Sequence, residues 1–247
     1  MPLFFDMTIP RIFVANKLAS KQEIILDTNV SNHLLQVLRL KVNDPLKIFN
    51  DSGVEFSAII TAINKHHATV LIKEFIQCNR ESPLKIHLGQ GISRGEKMDF
   101  TVQKAVELGV NTITPLFTEY CNVKLKNERL DNRLRHWQGV AISAAEQSGR
   151  CYVPKILPAQ TLQDWFATTA GLCLVLDPCA TNNLSDIKER PSSVTLLVGP
   201  EGGLSDKEII FAKQNNFLSV KLGPRILRTE TAALAAISVL QAKWGDF

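Results

Sequence analysis

The stretch LLVGPEGGLSDKEI, Leu196–Ile209, runs from an apolar strand through a glycine-rich loop into a helix. Ser205 stands three residues before Glu208, the spacing of a capping box that marks a helix start. Capping explains those two residues only. Three glycines, Pro200 and Glu201 before the cap are more than a tight turn requires. The same strand-to-glycine-loop succession occurs at Ile86-His87-Leu88-Gly89-Gln90-Gly91 and at Val220-Lys221-Leu222-Gly223-Pro224-Arg225. Ligands of open α/β sheets collect beyond the carboxyl ends of the strands. Glycine there lets the backbone approach a ligand closely.

Outward from these loops, the chain from Leu84 alternates between strand and helix. The pattern predicts strands at 84–89, 111–116, 171–177, 194–199 and 217–222, and helices at 97–108, 127–147, 161–169, 205–214 and 229–243. Such alternation predicts an α/β layer with a mainly parallel sheet. Upstream, short apolar runs separated by Asp51-Ser52-Gly53 and Asn64-Lys65-His66 predict a small antiparallel sheet or barrel. One helix is expected there, capped by Asp27 and carrying Val30, Leu34, Val37 and Leu38 on one face. The polar segment Gln77–Pro83 reads as a linker, which gives a β-rich domain over 1–76, a linker over 77–83 and an α/β domain over 84–247.

Composition narrows the classes. The 247 residues are 45% hydrophobic and 21% charged, with a net charge of +4. The basic excess lies mid-chain, where residues 80–140 hold 10 Lys and Arg against 7 Asp and Glu, compatible with a face that meets phosphates. Five scattered cysteines without a CxxC pair speak against a disulfide framework or structural zinc and for a reducing compartment. No histidine spacing fixes a metal. No apolar run approaches the roughly 20 residues of a membrane span, and the start lacks the features of a signal peptide. The expectation is a cytoplasmic protein with no metal and no membrane partner.

Two nucleotide motifs are near misses. Gly89-Gln90-Gly91-Ile92-Ser93-Arg94 would need glycine at Arg94 to complete a dinucleotide fingerprint, and the next strand lacks the acidic end that would hold a ribose. Gly199–Ser205 has no lysine where a triphosphate-binding loop needs one. The loop Leu222–Thr229 is more informative, because Arg225 and Arg228 precede a helix whose N-terminus is already positive. An anion, or a carboxylate such as Glu201 or Glu230, would offset them. Thr229 is expected to cap that helix.

Together, LLVGPEGGLSDKEI and LGPRILRTETAALAAISVLQ (Leu222–Gln241) resemble the ribosomal RNA uridine-N3 methyltransferase family (RsmE) of the SPOUT superfamily. The resemblance extends over SPLKIHLGQGISRGEKMDFTVQKAVELGV (Ser82–Val110) and AISAAEQSGR (Ala141–Arg150). PRIFV (Pro10–Val14) and HLLQVLRL (His33–Leu40) are similar to the family's PUA-like RNA-binding β-barrel domain. Resemblance is weakest over Leu157–Ser193. It implies a C-terminal trefoil knot, a homodimer with its site at the interface, S-adenosyl-L-methionine as cofactor, and small-subunit (16S) ribosomal RNA in the 30S subunit as substrate. Carried onto this chain, the cofactor pocket comprises Leu176, Gly199, Pro200, Gly202, Gly203, Leu222, Gly223, Ile226 and Leu227.

Uridine N3 is a weak acid, and its anion is a far better nucleophile than the neutral imide. Forming it takes a base, with a cation or N–H donors near O2 or O4. Glu230 and Glu201 are the candidate bases and Arg228 the candidate cation. Arg11, Arg39, Lys41, Arg94 and Lys97 are candidate RNA contacts. The competing readings are a tRNA ribose 2′-O-methyltransferase of the same superfamily and a non-catalytic RNA-binding assembly factor.

Overall fold

Period-two alternation of apolar residues builds the first sheet, which comprises β1 (Arg11–Phe13), β2 (Glu23–Ile25), β3 (Pro45–Phe49), β4 (Val54–Asn64) and β5 (His67–Gln77). The computed structural model describes residues 9–123 and 127–247. The strand order is β1-β3-β4-β5-β2, antiparallel except where β1 runs beside β3. Ala58, Ile60, Val70 and Ile72 face one core with Ile12, Leu34 and Ile48. Among the described residues no ladder joins β1 to β2.

Helix α1 (Thr28–Asn32) starts as expected, with the Asp27 carboxylate accepting from the Val30 amide. It then widens into a π-helical turn over His33–Val37. That wider turn changes the angle per residue, so only Leu34 of the predicted apolar face is fully inside and Val37 is 66% exposed.

The chain divides into two compact units, residues 1–81 with 145–152, and residues 82–144 with 153–247. The short second segment of the first unit is held by Arg11. Its guanidinium donates to the Glu55 carboxylate at 2.9 Å and to the carbonyls of Ala145, Glu146 and Arg150 at 3.1, 2.9 and 3.1 Å. The Glu146 carboxylate accepts from the Phe13 amide, and Glu81 pairs with Arg150. Burial lowers the Arg11 pKa and the Glu55 charge partly restores it. Arg11 was a candidate RNA contact, but its fork is fully committed inside the protein, so its role is structural. Cys78 and Cys151 form a disulfide, their Cα atoms 6.3 Å apart. That corrects the expectation drawn from cysteine spacing, because partners 73 residues apart leave no local signature.

The second unit holds a seven-stranded, all-parallel sheet. Its elements are β6 (Lys85–Gly91), α2 (Glu96–Glu107), β7 (Thr112–Phe117), α3 (Glu128–Ser148), β8 (Lys155–Ile156), β9 (Gln160–Thr161), α4 (Leu162–Phe166), β10 (Leu172–Leu176), β11 (Ser193–Val198), α5 (Asp206–Gln214), β12 (Leu218–Val220) and α6 (Thr229–Trp244). The last residues of α3 belong to the first unit. Strands order as β12-β10-β11-β6-β7-β8, with β9 also on β7. Near-continuous apolar runs such as Val194–Val198 fit a sheet covered on both faces. Helix α4 is shorter than the predicted 161–169. Thr168 and Thr169 turn their hydroxyls onto the Trp165 and Phe166 carbonyls, competing with helix continuation, and Gly171 at φ 75° follows. Trp165 packs with Phe166 and Phe217, and its indole N–H donates to His87 Nε2 at 3.3 Å. Burial pushes the His87 pKa down to about 4, so this core histidine is neutral near pH 7.

Candidate active site

Because the sheet is parallel, the loops after β10, β11 and β12 emerge from one edge. They enclose a cavity of about 730 Å³, within the range of small-molecule sites. Leu176, Gly199, Pro200, Gly202, Gly203, Leu222, Gly223, Ile226 and Leu227, the nine residues expected to bind cofactor, all line it, and so does Glu201. Arg228 and Glu230 are outside the lining, although Leu227 and Thr229 on either side of Arg228 are within it.

The loop after β11 is shaped by its own backbone. The Gly203 amide donates to the Pro200 carbonyl at 2.9 Å. Ser205 and Glu208 exchange the two bonds of the predicted capping box, at 3.3 and 2.9 Å. A Cβ on Gly199 would stand 2.8 Å from the Gly203 carbonyl carbon and 2.9 Å from the Leu204 nitrogen, so the fold needs glycine there. The loop is also tied from outside. Thr229 Oγ1 donates to the Gly199 carbonyl at 2.6 Å, and Gln90 Nε2 donates to Thr229 Oγ1 at 3.0 Å and to the Gly199 carbonyl at 3.4 Å. Thr229 was expected to cap α6. Instead Arg228 occupies the N-cap without a capping bond, and the Thr229 hydroxyl joins the two glycine loops.

Glu201 accepts from the Arg94 amide at 3.0 Å and lies 3.6 Å from Lys97 Nζ. Burial works against its charge, but the Arg94 and Glu201 amides and Lys97 together hold the carboxyl below its usual range. Glu230, in the first turn of α6, has one carboxylate oxygen buried without a hydrogen-bond partner. Arg228 is exposed, and among the described residues no hydrogen bond or ion pair engages its guanidinium. Arg39 and Lys41 are both exposed in the first unit, Arg39 with φ 56°.

Arg225, singled out in the sequence beside Arg228, also lines the cavity, whereas sequence reading missed Asp177, Cys179, Lys213 and Lys221. Asp177 is buried, accepting from the Ser219 hydroxyl at 2.7 Å and the Cys179 amide at 2.9 Å. The available signal was an acidic residue just past an apolar strand, in the region where motif likeness is weakest. The lining combines apolar side chains such as Leu204 and Ile209, backbone amides, carboxylates and ammonium groups. That set fits a nucleoside-bearing amino acid, which has an apolar base, hydroxyls and both signs of charge. Among the described residues no group of His, Cys, Asp or Glu is arranged to hold a metal, and no helix is long and apolar enough to cross a membrane.

Residues 80–241 match the family described as the RNA methyltransferase domain, and residues 26–73 match the RNA methyltransferase PUA domain. A ribosomal RNA small subunit methyltransferase E of Buchnera aphidicola (from Schizaphis graminum) is 44% identical over 96% of this chain and 98% of its own length. A Legionella pneumophila protein solved with the cofactor SAM superposes with TM-score 0.94 at 40% identity, covering 97% of this chain and 99% of that one. The ribosomal RNA small subunit methyltransferase E of Neisseria gonorrhoeae, solved with S-adenosyl methionine, gives TM-score 0.90 at 40% identity, covering 97% and 99%. With an α/β unit, a PUA-related unit and likeness along nearly its whole length, the chain belongs to the ribosomal RNA small subunit methyltransferase E family.

Proposed function

We propose that this chain transfers a methyl group from S-adenosylmethionine to N3 of a uridine in small-subunit ribosomal RNA. The observation that carries the reading is the single cavity walled by the Gly199–Gly203 loop and the Leu222–Leu227 loop, in a chain 40% identical to proteins solved with that cofactor. The bound cofactor supplies an electrophilic methyl group on a sulfonium. Residues 199–203, 222–223 and 226–227 with Leu176 would hold it, and Asp177 adds a carboxylate to that wall.

The remaining chemistry falls to the protein. The N3 proton must leave, and negative charge then spreads onto O2 and O4. Arg228, exposed and unengaged at the start of α6, is the cation for that charge. Glu230, in the first turn of α6 two residues after Arg228, is the base in this reading. Glu201 is a weaker one, since its carboxylate is already committed to the Arg94 amide and Lys97. Its role in this reading is to position those two residues.

In the same reading, the first unit, residues 1–81 with 145–152, binds RNA and the second, 82–144 with 153–247, is catalytic. The expected linker 77–83 is absorbed into these units, with Cys78 in a disulfide and Glu81 paired with Arg150. Arg39, Lys41, Arg94 and Lys97 contact RNA phosphates. The chain after β11 forms the trefoil knot, two copies form a homodimer with the sites at their interface, and the enzyme works in the cytoplasm on the 30S subunit.

Primer extension tests the reaction. A methyl on N3 blocks the Watson–Crick edge and stops reverse transcription, whereas a ribose 2′-O-methyl leaves base pairing intact. Incubating the protein and S-adenosylmethionine with unmethylated small subunits should create one new stop at a uridine. Incorporated methyl label without a stop would overturn the N3 assignment.

A further inference from the structure

Uridine N3 lies on the edge used for base pairing, so a base methylated there must be unpaired and held away from its neighbours. Leaving the stack costs a few kcal/mol, and RNA-binding proteins offset this with an aromatic face. Resting on the proposed reaction, we propose that Tyr120 is the platform on which the unpaired target base stacks, with Arg94 and Lys97 taking the phosphates beside it.

Tyr120 follows β7 in a turn and is 45% exposed. Its backbone is nonetheless fixed. The neighbouring Glu119 amide donates to the capping carboxylate Glu208 at 2.8 Å, and the Cys121 amide donates to the Thr118 carbonyl at 3.0 Å. The Cys121 thiol reaches the Ile92 carbonyl at 3.5 Å. On the other side Tyr120 abuts Gly202, a cavity-lining residue, so closely that a Cβ on Gly202 would come 2.8 Å from Tyr120 Cβ. The adjoining Glu201 binds the Arg94 amide and pairs with Lys97, whose side chain is 41% exposed. An anchored, exposed ring against Gly202, the Lys97 ammonium on Glu201 and the main chain of Arg94, whose side chain is exposed, therefore gather around one loop of the cavity wall. This is the combination that binds single-stranded nucleic acid, a π-face for a base beside positive charge for its phosphates.

The experiment compares wild type, Tyr120→Ala, Tyr120→Phe and Phe100→Ala. Phe100 is equally exposed on α2 and serves as the aromatic control. Methylation of small subunits is followed against subunit concentration, S-adenosylmethionine affinity by calorimetry, and subunit binding by filter retention. Stacking of one base contributes about 1–3 kcal/mol, or roughly 5- to 150-fold. Tyr120→Ala should lower kcat/KM for the subunit by at least about fivefold and weaken retention, with cofactor affinity within about twofold. Tyr120→Phe, which keeps the ring, should restore most of the loss, and Phe100→Ala should match wild type. A Tyr120→Ala protein within twofold of wild type in both rate and retention would overturn the platform. So would a Tyr120→Phe protein as impaired as Tyr120→Ala. If wild type binds subunits but leaves N3 unmodified, the parent reading fails, and retention by the variants still decides the role of Tyr120.

Discussion

The two glycine loops that wall the cavity are built in opposite ways. Gly199–Ser205 is bonded internally, capped into α5, tied to α6 by Thr229 and to β6 by Gln90, and braced by Glu201. Residues 222–227 make no hydrogen bond among the described residues, and Ile226 is 85% exposed. A wall that is already shaped loses little freedom when a ligand arrives. An open wall must be ordered by the ligand and subtracts from affinity accordingly. The closed loop thus supplies shape and the open loop supplies the adjustable contact and the arginine.

The largest test of that contrast is steric. Gly199→Val drives a side chain into the main chain of Gly203 and Leu204, where nothing flexible can give way. Cofactor affinity should fall by about a hundredfold or more, with a clear loss of thermal stability. Gly223→Ala meets no atom within 4 Å and bears only the strain of φ 75°, of about 1 kcal/mol. Melting curves that rank Gly223→Ala as the more damaging would reverse the comparison.

Next comes Arg228 on the open loop. Arg228→Ala should reduce turnover about a hundredfold, the usual effect of losing one donor to developing negative charge, with cofactor affinity within about tenfold. Its activity should recover partly at high pH, where uridine ionises unaided, and Arg228→Lys should fall between, keeping charge but losing the planar fork. Single-turnover methylation across a pH series reads this. Equal losses of stability and cofactor affinity, with an unchanged pH profile, would assign Arg228 to loop structure instead.

A smaller effect is expected at the tie between the loops. Thr229→Val preserves shape but leaves the Gly199 carbonyl with only the long bond from Gln90. One lost buried hydrogen bond costs about 1–3 kcal/mol, so calorimetry should show cofactor binding weakened about tenfold. No change would mean that the closed loop holds itself. Least of all should pH matter to Glu201. Its folded pKa is depressed, so its contribution is complete above the ordinary carboxylate pKa and is lost only as pH falls through the lower folded value. Cofactor affinity should therefore stay flat from about pH 8 to about pH 5 as far as this group is concerned. A break in that window that disappears in Glu201→Gln would contradict the bracing role.

Most of the parallel sheet was legible because its longer strands are compact apolar runs, three of which (β6, β11 and β12) lead into glycine loops, and Ser205 and Glu208 announce their helix by spacing alone. Features dependent on partners distant in sequence were not. Thr229 reads as a cap from its position, yet its hydroxyl is drawn to Gly199, 30 residues away. Arg11 reads as a surface cation, yet its partners include Glu55 and the main chain at 145–150. Val37 fits a helical face until the π turn rotates it outward. At the site, Gly199 and Gly223 stand out by composition, whereas Asp177 shows its place only once β10 lies beside β12.

The tether at Arg11 also bears on heredity. The first unit is made of two stretches of chain separated by more than sixty residues of the second. A gene segment ending at residue 81 would encode Arg11 and Glu55 but not the carbonyls and Glu146 that complete the arrangement. This module therefore cannot be lifted out or grafted elsewhere by one recombination event. Its lineage is bound to that of α3, and substitutions at 145–152 answer to the fold of the first unit although the helix that carries them begins in the second.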